Sequence, residues 1–154
     1  MPENNLHILV LHGPNLNLLG EREPEVYGHT TLEEINQELI RLGKEHSTEV
    51  RCFQSNYEGQ MVDCLHEFGK SSDGILINAG ALTHYGYSLH DAIVAIAKPT
   101  IEVHLSNIHS REHWRRKSVL APACRGIIAG FGADSYYAAL KLIMKMLHKT
   151  DAAA

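Results

Sequence analysis

Apolar residues follow one another along this chain in two alternating rhythms. Short runs dense in branched aliphatic residues, LHILVL (6–11), EVRCFQS (49–55), GILINA (74–79), TIEVHLS (100–106) and GIIAG (126–130), fit strands. Between them lie longer stretches whose apolar positions recur every three or four residues, the spacing of a helix with one buried face. These are TTLEEINQELIRLGKEH (30–46), EGQMVDCLHEFGK (58–70), SLHDAIVAIA (88–97) and DSYYAALKLIMKMLHK (134–149). The last sets Leu140, Ile143, Met144 and Leu147 on one stripe that can lie on a sheet. The first opens with Thr30 and Thr31, each followed three residues later by a glutamate, Glu33 and Glu34, which is the spacing of a capping box.

Strand and helix alternate through five strands, and right-handed crossovers then give a parallel sheet with helices on both faces. The expected architecture is therefore α/β: a flavodoxin-like, doubly wound sandwich in one domain over residues 1–154. In such sheets ligands gather beyond the carboxyl ends of the strands, so the loops after strands one, three and four should carry the chemistry.

Composition narrows the partners more than the fold. With 154 residues the chain can bury roughly two thirds of its unfolded surface in one core. A net charge of −4 argues against nucleic acid and anionic membrane as partners and leaves a small molecule. Glu3 ahead of a short apolar run is unlike a signal peptide or a membrane span, so a cytoplasmic location is expected. Cys52, Cys64 and Cys124 are odd in number and lack a C-x-x-C pair, which suits idle thiols in a reducing compartment.

The three loops hold most of the unusual residues. After strand one, HGPNLNLLGEREPEVYG (12–28) is too long for a simple turn and contains Arg22 and Tyr27. A free tyrosine, with its reference pKa of ~10, is only about 0.1% ionised at neutral pH, so a phenol used as a base needs a cation beside it. Arg22, five residues before Tyr27, can supply one; the alternative is a packed tyrosine and a solvated arginine. In strand four, alternation puts Glu102 and His104 on one face. A carboxylate there can hold the imidazole's tautomer and keep it ready as a general acid, whereas the bland alternative is an edge strand with one wet face. A base and an acid across one edge are what an elimination requires. The loop NAGALTHYGYSLHDA (78–92) adds Asn78, His84 and Asp91, polar groups suited to a polyhydroxylated ligand.

Other motifs compete with these. His109-Ser-Arg-Glu112-His113 has the form of an H-x-x-E-H zinc signature, but a zinc site needs both histidines on one helical face and a further carboxylate, and no glutamate follows Glu112. No metal is expected. GIIAGFG (126–132) lacks the lysine and hydroxyl residue of a phosphate loop and fits a tight strand-to-helix turn. Arg111 and Arg115 are spaced to share a helical face, either wet or reaching a ligand over the strand ends. A non-catalytic flavodoxin-like module for a flavin or a phosphorylated ligand is the second class of function.

GPNLNLLGEREPEVYG (13–28), QSNYEGQMVD (54–63), NAGALTH (78–84), IEVHLSNIHSRE (101–112) and GFGADSYYAAL (130–140) together closely resemble the type II 3-dehydroquinate dehydratase family, nearly end to end. The resemblance implies trimers assembled into a dodecamer, no cofactor, and anti elimination of water from 3-dehydroquinate in the shikimate pathway. It also implies roles: Tyr27 as base, Arg22 sustaining its tyrosinate, Asn15 stabilising an enolate through water, and His104, oriented by Glu102, as acid. Backbone N–H groups of Leu105 and Ser106 would hold the substrate carboxylate, Asn78, His84 and Arg115 the ring hydroxyls, and Asp91 would approach from a neighbouring subunit. Lys44, Lys70, Lys98, Lys117, Lys141, Lys145 and Lys149 all fall outside the three loops, so a Schiff base has no candidate. Tyr85-Gly86-Tyr87 departs from the family's usual small hydroxyl and aliphatic residues.

Overall fold

The computed structural model describes residues 5–153, with side chains through residue 149, so residues 1–4 and 154 of the expected domain lie outside the described part. Five strands form one parallel sheet: β1 (Leu6–His12), β2 (Thr48–Gln54), β3 (Gly74–Asn78), β4 (Thr100–His104) and β5 (Gly126–Ala129), in the order β2-β1-β3-β4-β5. The helices are a single turn α1 (Pro24–Tyr27), then α2 (Leu32–Glu45), α3 (Glu58–Cys64), α4 (Tyr87–Ile96) and α5 (Asp134–Ala153). The helix expected over 58–70 changes pitch midway, running from α3 into wider π turns at Leu65–Gly69.

Both faces of the sheet are covered, which explains strands that are apolar on every side. Ile8, Val10, Leu76, Ile101 and Val103 pack with Ile35 and Leu39 of α2 and with Leu140 and Ile143 of α5. The opposite faces of the same strands, Leu9, Leu11, Ile75 and Ile77, pack with Met61 of α3 and Leu89 and Ile93 of α4. Each such side chain contributes about 1.5–3 kcal/mol by leaving water. The capping box forms at Thr31, whose hydroxyl accepts the Glu34 N–H at 3.2 Å while Glu34 reaches back to the Thr31 N–H.

From β1 the chain first moves outward to β2, then crosses to β3 and proceeds the other way. The crevice of a doubly wound sheet opens at that reversal, where His12 and Asn78 end β1 and β3 side by side. Two loops meet tightly above it. A methyl group on Gly13 would lie 2.3 Å from the Ala79 carbonyl oxygen, so only glycine lets the first loop cross the third. Gly130 and Gly132, both at positive φ, make the strand-to-helix turn expected for GIIAGFG.

Candidate active site

The loop after β1 is ordered by its own backbone and by β2. Asn15 takes a left-handed conformation with φ 68°, its N–H donates to Asn56 Oδ1 at 3.0 Å, and Gln54 Nε2 donates to the Gly13 carbonyl at 3.2 Å. Proline at the first position then nucleates α1, whose last residue is Tyr27. Two guanidiniums flank that phenol. Arg22 places Cζ 5.1 Å from the ring centroid while its Nε stays 3.6 Å from the Glu23 carboxylate. Arg111 does more: its Nη1 donates to Tyr27 Oη at 2.7 Å, and its Cζ lies 5.0 Å from the ring centroid. A charge-assisted donor on the oxygen itself stabilises negative charge there more directly than a cation over the ring.

β4 is not an edge strand. β5 pairs beside it, and all five β4 residues are buried, so the wet-face alternative falls away. Glu102 is fully buried, and a carboxylate so placed must be paired. Its Oε2 meets His104 Nε2 at 2.5 Å and accepts from Thr83 Oγ1 at 3.1 Å, while Oε1 accepts from Ser118 Oγ at 2.6 Å. Ser118 is itself held by N–H groups of Leu120 and Ala121 at 3.1 and 3.0 Å. Because a carboxylate only accepts, His104 carries a proton on Nε2, leaving Nδ1 for the cavity that the ring lines.

The third loop supplies Asn78 and His84. Asn78 ends β3, nearly buried, with its side chain tied to Tyr136 of α5 and to the Gly80 N–H. His84 Nδ1 donates to the Lys117 carbonyl at 2.8 Å and its ring meets Trp114 edge-on at 5.3 Å. Burial, the largest influence, holds His84 below the ordinary imidazole value despite that hydrogen bond. A neutral ring with its proton on Nδ1 offers Nε2 as an acceptor, suited to a hydroxyl. Lys117 lies in the loop after β4, which corrects the expectation that every lysine falls outside the three loops; its carbonyl orients His84, its side chain is exposed, and it does not line the cleft.

Residues 108–116 do not form the helix that the Arg111–Arg115 and His109–His113 spacings suggest. They make two short 3₁₀ turns, Ile108–Ser110 and His113–Arg115, with Arg111 extended between them. That break is why Arg111 reaches Tyr27 while Arg115 pairs with Glu112 and stacks over Trp114, its Cζ 4.0 Å from the ring centroid. It also separates the two histidines of the zinc-like motif, and among the described residues no three His, Cys, Asp or Glu side chains gather as a metal site. Burial pushes the Cys52 and Cys124 thiols up to about 12 and Cys64 to about 11, so all three stay protonated.

The three loops line one cleft that opens to solvent. Asn15, Arg22 and Tyr27 line it from the first loop, Asn78 and His84 from the third, and His104, Leu105, Ser106 and Arg115 from the fourth, joined by Arg111. Glu102 stands behind His104. Asp91 is apart: on α4 its side chain is 85% exposed and meets His90, outside this cleft. The direct hold of Arg111 on Tyr27, the hydroxyls of Thr83 and Ser118 on Glu102, and the roles of His12 and Tyr136 beneath the cleft were not legible in sequence, because each partner is distant along the chain.

Residues 6–144 match the family model described as "Dehydroquinase class II". A 3-dehydroquinate dehydratase of Pelotomaculum thermopropionicum is 57% identical over 136 residues, covering 88% of this chain and 94% of that relative. Another, of Dictyoglomus turgidum, is 51% identical over 144 residues, 94% of this chain and 99% of its own length. Among solved structures, the type II dehydroquinase of Butyrivibrio crossotus superposes with a TM-score of 0.87 at 40% identity, covering 94% of this chain and 98% of that one.

Proposed function

This chain belongs to the class II dehydroquinase family, and from that membership and the cleft's geometry we propose that it eliminates water from 3-dehydroquinate to give 3-dehydroshikimate, as one catalytic domain over residues 1–154. The observation that carries the reading is a single cleft lined by both a phenol capped by a guanidinium and an imidazole backed by a buried carboxylate. Tyr27, ionised beside Arg111 and Arg22, removes the proton beside the ketone and is left as a neutral phenol. The resulting enolate is met by Asn15 through water. His104 enters the step as an imidazolium: its Nε2–H stays on Glu102 while its Nδ1–H passes to the departing hydroxyl, so that the C–O bond breaks with release of water.

The remaining lining residues bind the ring. Backbone N–H groups of Leu105 and Ser106 hold the carboxylate, and Asn78, His84 and Arg115 the hydroxyls; the acceptor Nε2 of His84 suits the last task. No cofactor takes part. Asp91, exposed on α4 and remote from its own cleft, serves the cleft of a neighbouring subunit in a trimer, four of which make a dodecamer. The enzyme works in the cytoplasm in the shikimate pathway of aromatic amino-acid synthesis. Among the described residues no helix is long and apolar enough to cross a membrane.

The test is direct: purified protein is given 3-dehydroquinate and the enone absorbance of product is followed, with and without chelator. Turnover unchanged by chelator is expected; an inactive protein sinks the reading. Borohydride with substrate should leave every lysine unlabelled, and sedimentation should return the mass of a dodecamer.

A further inference from the structure

Beneath the cleft a line of hydrogen bonds crosses the core from α2 to the end of β3. Asn36 Oδ1 lies 2.7 Å from His12 Nε2, His12 Nδ1 lies 2.8 Å from Tyr136 Oη, and Tyr136 Oη lies 2.9 Å from Asn78 Nδ2. Asn78 Oδ1 then accepts the Gly80 N–H at 3.2 Å. These contacts allow one direction of donation. The Gly80 N–H turns Asn78 Oδ1 toward the backbone, so Nδ2 faces Tyr136, whose oxygen accepts and whose own proton goes to His12 Nδ1. His12 accordingly carries its proton on Nε2 and donates it to Asn36.

His12 and Tyr136 are both completely buried, and neither lines the cleft. Burial drives His12 down to about 4 and pushes the Tyr136 phenol well up, so neither changes protonation near neutrality. Apolar side chains would fill this volume at lower desolvation cost. What a polar line adds is orientation. A carboxamide is nearly symmetric in shape, and a free hydroxyl could donate to its oxygen as well as accept from its N–H₂. With its own proton committed to His12, Tyr136 can only accept from Asn78, which adds to the hold of the Gly80 N–H against a turn of the amide.

We propose that His12 and Tyr136 are positioning residues, which lock the Asn78 carboxamide so that its second N–H remains a donor to the cleft. The proposal rests on the reading of Asn78 as a substrate contact. A contact made equally in the bound substrate and in the transition state affects KM rather than kcat.

The experiment is a double-mutant cycle on the full-length protein with 3-dehydroquinate. Tyr136→Phe should raise KM about tenfold with kcat within about threefold, and should raise it less than twofold in an Asn78→Ala background. His12→Phe should behave like Tyr136→Phe, and His12→Gln, which restores an acceptor and a donor, should recover most of the loss. An equal rise in both backgrounds, or none in either, overturns the proposal. Solvent exchange of the Asn78 carboxamide protons, followed by side-chain nitrogen NMR, needs no turnover: at least tenfold acceleration in Tyr136→Phe is expected, and unchanged exchange overturns the lock. A protein inert toward 3-dehydroquinate whose Asn78 exchange still responds refutes the assigned reaction while leaving the lock intact.

Discussion

Arg111 Nη1 donates to Tyr27 Oη at 2.7 Å across 84 positions of chain. The cation closest to the phenol oxygen therefore comes from the loop after β4, whereas Arg22, a neighbour in sequence, meets the ring's face. Hydrogen bonds to a charged group contribute about 1.5–3 kcal/mol. Arg111→Ala should accordingly lower kcat by roughly 10- to 100-fold and Arg111→Lys by less, measured as the rate of enone formation. A loss below twofold would remove Arg111 from the mechanism.

Tyr27→Phe isolates the base. The ring stays and the proton acceptor goes, so kcat should fall by about 10²–10⁴ while the melting temperature holds. Near-normal turnover in a folded variant would mean that another group takes the proton.

Glu102→Gln tests the support behind the acid. A carboxylate accepts from His104, Thr83 and Ser118 at once, but an amide must turn one N–H₂ toward a group that is itself donating. The tautomer of His104 is then no longer held. We expect kcat to fall about 100-fold in a protein with native circular dichroism, and Ser118→Ala to give a smaller loss of the same kind.

Acid stability should report on His12. Its value drops from 6.5 unfolded to about 4 folded, chiefly through burial, so between these limits the unfolded chain binds the extra proton. This contribution is fully present above about 6.5 and is lost as pH falls toward 4, on the order of 3 kcal/mol in all. Urea unfolding at a series of pH values should show that slope, and His12→Gln should flatten it.

Two glycines separate crowding from backbone strain. Gly13→Ala would set a methyl 2.3 Å from Ala79 oxygen, a backbone atom that cannot yield, and should cost about 3 kcal/mol or more with loss of activity. At Gly28 nothing lies within 4 Å, but φ +83° with ψ −177° is backbone that essentially only glycine adopts, so Gly28→Ala should cost about 1–3 kcal/mol through strain alone. Thermal unfolding of the two variants should rank them in that order.

The sheet, the helices and the edge at which the cleft lies were readable from the chain alone because they follow from local periodicity. Runs such as GILIN bury both faces whatever lies opposite, and Thr31 caps α2 through a residue three positions away. The pairing of Glu102 with His104 was readable for the same reason, since two residues of alternation along one strand place them together. What only the tertiary structure decided is which distant groups complete those local ones: Arg111 on Tyr27, Ser118 on Glu102, and Tyr136 between His12 and Asn78. Spacing is least informative at residues 108–116, where Arg111 and Arg115 stand at helical intervals and the chain instead breaks at Arg111. Hydrogen bonds between far-separated side chains leave no periodic trace, because they depend on where the crossovers set each strand end down, and the sheet as a whole determines that.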